Sequence, residues 1–420
     1  MANIIVMATG GAVGMNVKGL CSATYICIVM RAAFLYAAAA SAALILIWRR
    51  HRHRQARDVQ ILIAACDLDK TVYPPAGPCQ ASQLVANVAA MARFESNGGF
   101  VFPVTGNNIP QAQVKFTRSD GSELRNLKTA PGIFCNGSLV LGPGGEELER
   151  FSVGKLRMAA DPAVDFVTAL LAFWSAPEQH KLLDGVGLLF FLPDELVVVD
   201  DCAHDGFEHT DGFCRSQRVR PSRRSRAQLL ADKERVLQVV LLFPPLACAE
   251  RADAAQKACY EETCRPWQER VQRAMGASGL TDCKVAAGSG ASVAGVGDGL
   301  KLTLMKDPWP EMDICVGGVD KGSALARFLH HPAVLRSLGV EAVDPSKHVA
   351  VFGDAANDVP MFRAIGGAMP AMRVGMPHAT HSELVSLSTH RAEVSDVLNS
   401  LCEARQRRTR ALSERASERR

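Results

Sequence analysis

"ILIAACDLDKTVYPP", Ile61 to Pro75, runs six apolar or small residues into two carboxylates, Asp67 and Asp69, then Thr71 and the pair Pro74-Pro75. Six such residues in a row are the mark of a strand buried on both faces. Ionised carboxylates at its end are costly unless solvated or met by a cation. The stretch therefore places two acids at the mouth of a buried sheet, with something positive expected against them.

The pattern continues outward from this strand. Ser82 to Glu95 has helical spacing, and Gly98-Gly99 stops it. Phe100 to Val104 reads as a second strand ending at Thr105-Gly106-Asn107-Asn108, and Ile133 to Cys135 as a third turning at Asn136-Gly137. Far along the chain, Lys321 to Leu338 reads as a helix, and Val349 to Phe352 as a strand ending in Gly353-Asp354. Alternating strands and helices imply a parallel sheet covered on both faces. Ligands of such sheets bind beyond the carboxyl ends of the strands. Asp67, Thr105 and Asp354 all fall at such ends.

The middle of the chain differs. Strands are predicted at Val186 to Leu192 and Val236 to Phe243, and helices at Pro162 to Trp174 and Ala252 to Met275. The stretch 214–228 holds six arginines and 288–299 is rich in glycine; both read as surface insertions. For the arginines a solvated loop and a contact with an anionic partner stay open. The expected organisation is a leader 1–57, a first core part 58–150, an inserted α/β cap 151–309, a second core part 310–405 and a basic tail 406–420. The chain crossings are expected near Glu149 to Ser152 and Asp307 to Glu311.

The net charge of +4 is unevenly placed. Residues 1–57 carry +7 and no acid, which leaves the remaining chain at −3. A mildly acidic body gives no reason to expect nucleic acid as a partner. Within the leader, Ala32 to Trp48 is free of charge for seventeen positions, with Arg31 before it and Arg49-Arg50-His51-Arg52-His53-Arg54 after it. That length is the short end of a membrane-spanning helix, and the charge bias would keep the body in the cytosol. An organellar transit sequence and a later start at Met30 are the other readings; a cleaved secretory signal fits poorly. Thirteen cysteines without regular spacing or zinc-ligand pairs indicate free thiols in a reducing compartment.

Four pieces ask for one chemistry: DLDKT (Asp67, Asp69, Thr71), VTGNN (Thr105), GGVDKGSAL (Lys321) and GDAANDVPMF (Asp354, Asn357, Asp358). Alone, the first could be a calcium-loop fragment, the last a turn, and the lysine a solvated helix start. Together they suit phosphoryl transfer through an aspartyl-phosphate. Asp67 would be both nucleophile and Mg²⁺ ligand, and Asp354 the second carboxylate. Asp69 would protonate the leaving oxygen and then deprotonate water. Thr105 and nearby backbone N–H groups would hold phosphate oxygens, and Lys321 would supply positive charge. Thr71, Gly106, Asn107 and Asn136 join Asn357 as candidate phosphate or substrate contacts.

These residues in this order resemble the haloacid dehalogenase superfamily. GGVDKGSAL followed by GDAANDVPMF, and FCNGSLV before GPGGEELERF, are similar to its Cof-type branch, which bears a large α/β cap. The resemblance covers about 59–150 and 310–400. It implies a Rossmann-like core, Mg²⁺ dependence and phosphatase activity on small phosphorylated metabolites, commonly sugar phosphates. It also implies that the carbonyl of Asp69 binds Mg²⁺, and that Asn357 and Asp358 organise metal and phosphate. Two positions depart from it: Lys70 stands where glycine is usual, and Asn107 where arginine is usual. The competing functions are a phosphomannomutase-like phosphotransferase and a membrane-tethered binding protein without turnover.

Overall fold

The computed structural model describes residues 5–8, 11–14, 61–118, 120–200, 207–244, 260–285, 299–305, 310–366 and 371–418. The chain divides into Met1–Gln60 and Ile61–Arg420. In the first unit, Ile5–Ala8 and Gly11–Gly14 form an antiparallel pair. The apolar run Ala32–Trp48 lies outside the described residues. Among the described residues, no helix is long and apolar enough to cross a membrane.

In the second unit, Ile63–Cys66 is the middle of a five-stranded parallel sheet. Val349–Gly353 lies on one side and Phe100–Pro103 on the other; Met372–Gly375 and His390–Arg391 extend the sheet beyond Val349–Gly353. Every residue of Ile63–Cys66 is buried, as a run without alternation requires. Helix Gln80–Ser96 covers one face, burying Leu84, Ala90, Met91 and Phe94. Helix Lys321–His330 packs Phe328 against Phe102, ring centroids 4.5 Å apart. Its predicted extent to Leu338 is broken by Pro332, which starts a second helix, Pro332–Leu338.

Strand Gly132–Phe134 bridges in parallel from Ile133 to Val104, and then opens a three-stranded antiparallel sheet with Leu139–Leu141 and Glu147–Arg150. From Arg150 the chain enters a second, six-stranded sheet region, where Ser152 Oγ donates to Val236 O at 2.7 Å. That sheet runs Ser222–Arg224, Leu196–Val199, Gly187–Phe191, Gln238–Leu242, Glu311–Val316, Leu300–Met305. One of its faces buries Phe190, Val239, Leu241, Met312 and Ile314 against helix Phe166–Ser175 and its neighbours.

Three expectations are corrected here. Glu311–Val316 pairs on both sides inside the six-stranded sheet, so the chain leaves it at Gly317–Asp320 and not at 309/310. The expected crossing near Asp307 to Glu311 thus falls one strand too early. The arginine stretch is not an inserted loop throughout. Ser222–Arg224 is an edge strand parallel to Leu196–Val199, and Arg224 pairs with Glu195 and with Asp232 at 2.7 Å. Residues 406–418 are not a separate tail but the end of helix Val394–Glu418, which has no Gly or Pro to stop it. The glycine-rich 288–298 lies outside the described residues. The eight described cysteines assigned as thiols are free, seven of them buried.

Candidate active site

Parallel pairing brings the strand ends together. Asp67 N donates to Phe352 O at 2.9 Å and Val104 N to Cys66 O at 2.8 Å, which sets Asp67 between the turns after Gly353 and Val104. Asp67 is buried. Lys321 is 1% exposed; its Nζ donates to Asp67 Oδ1 at 2.5 Å and Asp358 Oδ1 at 2.7 Å. The lysine is aimed by its helix, whose N-terminal Asp320 accepts from Ser323 N at 2.8 Å.

Asp358 is also held from below. Its Oδ2 accepts from Asp354 N at 2.9 Å and Ala355 N at 3.1 Å, which shapes the turn that presents Asp354. Gly353 is required by this packing: a Cβ there would lie 2.6 Å from the Asp358 Cβ. Thr71 Oγ1 reaches Asp354 Oδ1 at 3.4 Å. Asn357 sits half-buried in the turn Ala356–Asp358.

The electrostatics follow from three acids around one ammonium. Burial pushes the Asp67 carboxyl well up, and the Asp358 and Asp354 charges add to it against Lys321. Burial raises Asp354 to about 6, with Asp358 adding and Lys321 and Lys70 opposing. Burial disfavours the Lys321 charge, but Asp358 and Asp67 more than offset it and hold the ammonium firmly protonated. One oxygen from each of Asp67, Asp354 and Asp358 can lie within 4.8 Å of the others. Hard oxygen donors with uncompensated negative charge suit a small dication such as Mg²⁺.

Asp69 lies two residues on, its side chain 49% exposed. Asn107 Nδ2 donates to Asp69 Oδ2 at 2.6 Å and to Thr105 Oγ1 at 2.8 Å. Lys115 Nζ pairs with Asp69 Oδ1. Desolvation pushes Asp69 up, but Lys115 and Asn107 outweigh it and hold its carboxyl below the ordinary range. Lys115 was missed by sequence reasoning. It ends helix Ile109–Lys115 yet is buried. A lysine in the last turn of a helix reads as a solvated group favourable to the helix dipole.

The two departures acquire a physical account. Lys70 has φ +56°, the left-handed region in which glycine is unstrained. Asn107 is a buried tie between Thr105 and Asp69 rather than a gap. Gly106 packs against Asn136, whose N donates to Thr105 O at 3.0 Å. Thus the chain brings together Asp67, Thr71, Lys321, Asp354 and Asp358 in one group, and Asp69, Thr105, Gly106, Asn107 and Asn136 beside it. Next to these, Asn108 Nδ2 donates across to the inserted sheet, to Leu192 O at 3.1 Å and Glu195 O at 2.9 Å.

No family model and no curated protein matches the chain. Solved structures do. A HAD/COF-like hydrolase from Plasmodium vivax is similar over 84% of this chain and 97% of its own, at 14% identity and a TM-score of 0.49. The HAD subclass IIB sugar phosphatase BT4131 is similar over 82% of this chain and 98% of its own, at 15% identity and a TM-score of 0.46. BT1666 from Bacteroides thetaiotaomicron, described among phosphatases of the HAD superfamily, gives 82%, 95%, 14% and 0.47 in the same order. At these identities the likeness is one of fold, and the chemistry rests on the residues above.

Proposed function

We propose that this chain is a haloacid dehalogenase-type phosphatase, which hydrolyses a small phosphorylated metabolite through an acyl phosphate on Asp67. The observation that carries it is the meeting of Asp67, Asp354 and Asp358 around Lys321 Nζ. Asp67 comes from a chain segment more than two hundred positions before the others, and the group sets two buried acids and a half-buried one beside a single buried ammonium.

Asp67, Asp354 and Asp358, with the carbonyl of Asp69, would hold Mg²⁺. When bound, the ion would cancel the repulsion between the Asp67 carboxylate and the phosphate. An Asp67 oxygen attacks phosphorus and the bond from phosphorus to the leaving oxygen breaks. Lys321 stabilises the charge on the transferring group, and Thr105 with the backbone beside it orients the phosphate oxygens. Asp69 gives its proton to the leaving oxygen. It then takes a proton from water, whose oxygen attacks phosphorus and returns Asp67 as a carboxylate. Lys115 and Asn107 favour the ionised form of Asp69, the form that the second half needs. The first half requires Asp69 to take up a proton.

The test is phosphate release by the full chain from a panel of phosphomonoesters, including an aryl phosphate, with and without Mg²⁺. Mg²⁺-dependent release is expected. Absence of release across the panel would favour a binding protein, and return of the phosphoryl group to another hydroxyl of a sugar would favour a phosphotransferase.

A further inference from the structure

The second face of the inserted sheet looks toward the strand ends of the core. Strand Glu311–Val316 alternates: Met312, Ile314 and Val316 enter the apolar core, while Glu311, Asp313 and Cys315 take the other side. Val240 stands directly opposite Asp313, so Gln238, two residues before it, shares the Asp313 face. Asn136, at the core strand end, donates from Nδ2 to Asp313 Oδ2 at 3.3 Å. The Gln238 side chain lies close enough to favour the ionised Asp313 carboxyl, against its burial. Asn136 in turn lies against Gly106, where a Cβ would sit 3.2 Å from Asn136 Oδ1. This group is thus one residue layer from Gly106.

Its hydrogen-bond inventory is one-sided. Asn136 donates from Nδ2 to Asp313, and Asn136 Oδ1 and Gln238 Oε1 are buried without any partner. Gln238 is only 2% exposed, so water does not meet that oxygen freely. Glu311 lies in the field of both Asp313 and Asp69. The cation acting on Asp313 is Lys301, which is itself shared with Asp320 at 3.6 Å. Two carboxyls and two orphaned carbonyls ask for a ligand that donates several hydrogen bonds and carries positive charge. An unpaired buried acceptor costs about 1–3 kcal/mol, so leaving both unmet is costly.

We propose that the leaving group of this chain's substrate carries a protonated amine, seated among Asp313, Glu311, Asn136 Oδ1 and Gln238 Oε1. An aminated sugar or amino-alcohol phosphate fits; a bisphosphate or a phosphorylated acid does not. The inference rests on the phosphatase reading for the words "leaving group", but the amine site itself, Asp313, Glu311 and Gln238 of the inserted sheet with Asn136 of the core, does not depend on that chemistry.

The test compares matched phosphate esters that differ in one group: glucosamine 6-phosphate against glucose 6-phosphate, and 2-aminoethyl against 2-hydroxyethyl phosphate. For the full chain, at least one amine ester is expected to exceed its hydroxyl partner about tenfold or more in kcat/KM. Asp313→Asn is expected to bring that ratio within about threefold of one. Ratios near one or below for both pairs, with an aryl phosphate still hydrolysed, would overturn the amine site and leave the phosphatase reading. If the aryl phosphate is not hydrolysed, the phosphatase reading fails and calorimetric binding of the same pairs decides. Equal or weaker binding of the amine esters would then overturn the site, and tighter binding lost in Asp313→Asn would uphold it.

Discussion

The two sheets of the body use polar residues in opposite ways. The central strands of the five-stranded parallel sheet are apolar along their length and keep their acids for the strand ends, where Asp67 pairs with Lys321 and Asp354 stands beside them. The six-stranded sheet is mostly antiparallel and carries its acids within a strand, at Glu311 and Asp313 on alternate positions. An end-on site can hold groups from distant segments at one point, as covalent chemistry requires. A face-on site spreads donors and acceptors over a surface, as recognition requires. The division of labour predicts that core substitutions change the rate and cap substitutions change the choice of substrate.

The largest effect that would break this comparison is at the nucleophile. Asp67→Asn is expected to abolish turnover on every ester, since an amide cannot attack phosphorus, while circular dichroism stays native. Activity near that of the parent chain would place the chemistry elsewhere. Asp69→Ala is expected to slow hydrolysis of a poor leaving group by roughly 10²–10⁴-fold, the usual scale of general acid–base catalysis. A loss below tenfold would move proton transfer to another group.

Smaller effects sharpen the comparison through stability. Asp165 caps helix Phe166–Ser175 in the inserted region, accepting from Thr168 N at 2.9 Å and from Lys233 Nζ at 2.6 Å. Burial pushes its carboxyl up, but Lys233 and Thr168 prevail and hold it below the ordinary value. A depressed folded pKa means that the stabilisation is present above the unfolded pKa, about 3.9. It is lost as the pH falls through the folded pKa. Asp165→Asn is expected to cost about 1–3 kcal/mol near neutral pH in denaturant titrations. The difference from the parent should shrink below about pH 4. A difference independent of pH would contradict the ionic part of the cap. Lys70→Gly should have the smallest effect. Releasing a left-handed backbone returns about 1–2 kcal/mol, and the flexibility of glycine takes back roughly half of it. A shift of the denaturation midpoint to lower denaturant would show that Lys70 contributes more through its charge beside Asp354 than it loses in strain.

The same contrast explains what could be read from the chain. Asp67, Asp69, Thr105 and Asp354 were legible because strand-end sites write short contiguous motifs, an apolar run broken by a polar turn; Lys321 was legible as the start of a helix behind GGVD. The parallel core was legible for the same reason. Lys115 was not, because its role depends on a helix turning back over Asp69, which no local pattern encodes. Glu311 and Asp313 were hidden by their setting. The chain crossing was expected at Asp307 to Glu311, and acids alternating with Met312 and Ile314 look like the wet side of any strand. The orphaned oxygen of Gln238 exists only once two sheets have been placed.

The central claim is that Asp67 carries the phosphate between two steps, the second of which needs Asp69 as base. An aryl phosphate with a good leaving group needs no acid for the first step, so Asp69→Ala should separate the steps. Mixed rapidly with excess aryl phosphate and Mg²⁺, that variant is expected to release a burst of about one aryl alcohol per chain, followed by a slow phase. Acid-quenched protein should then carry phosphate on the peptide containing Asp67. A linear release at the slow rate, with no phosphate on that peptide, would contradict the covalent mechanism.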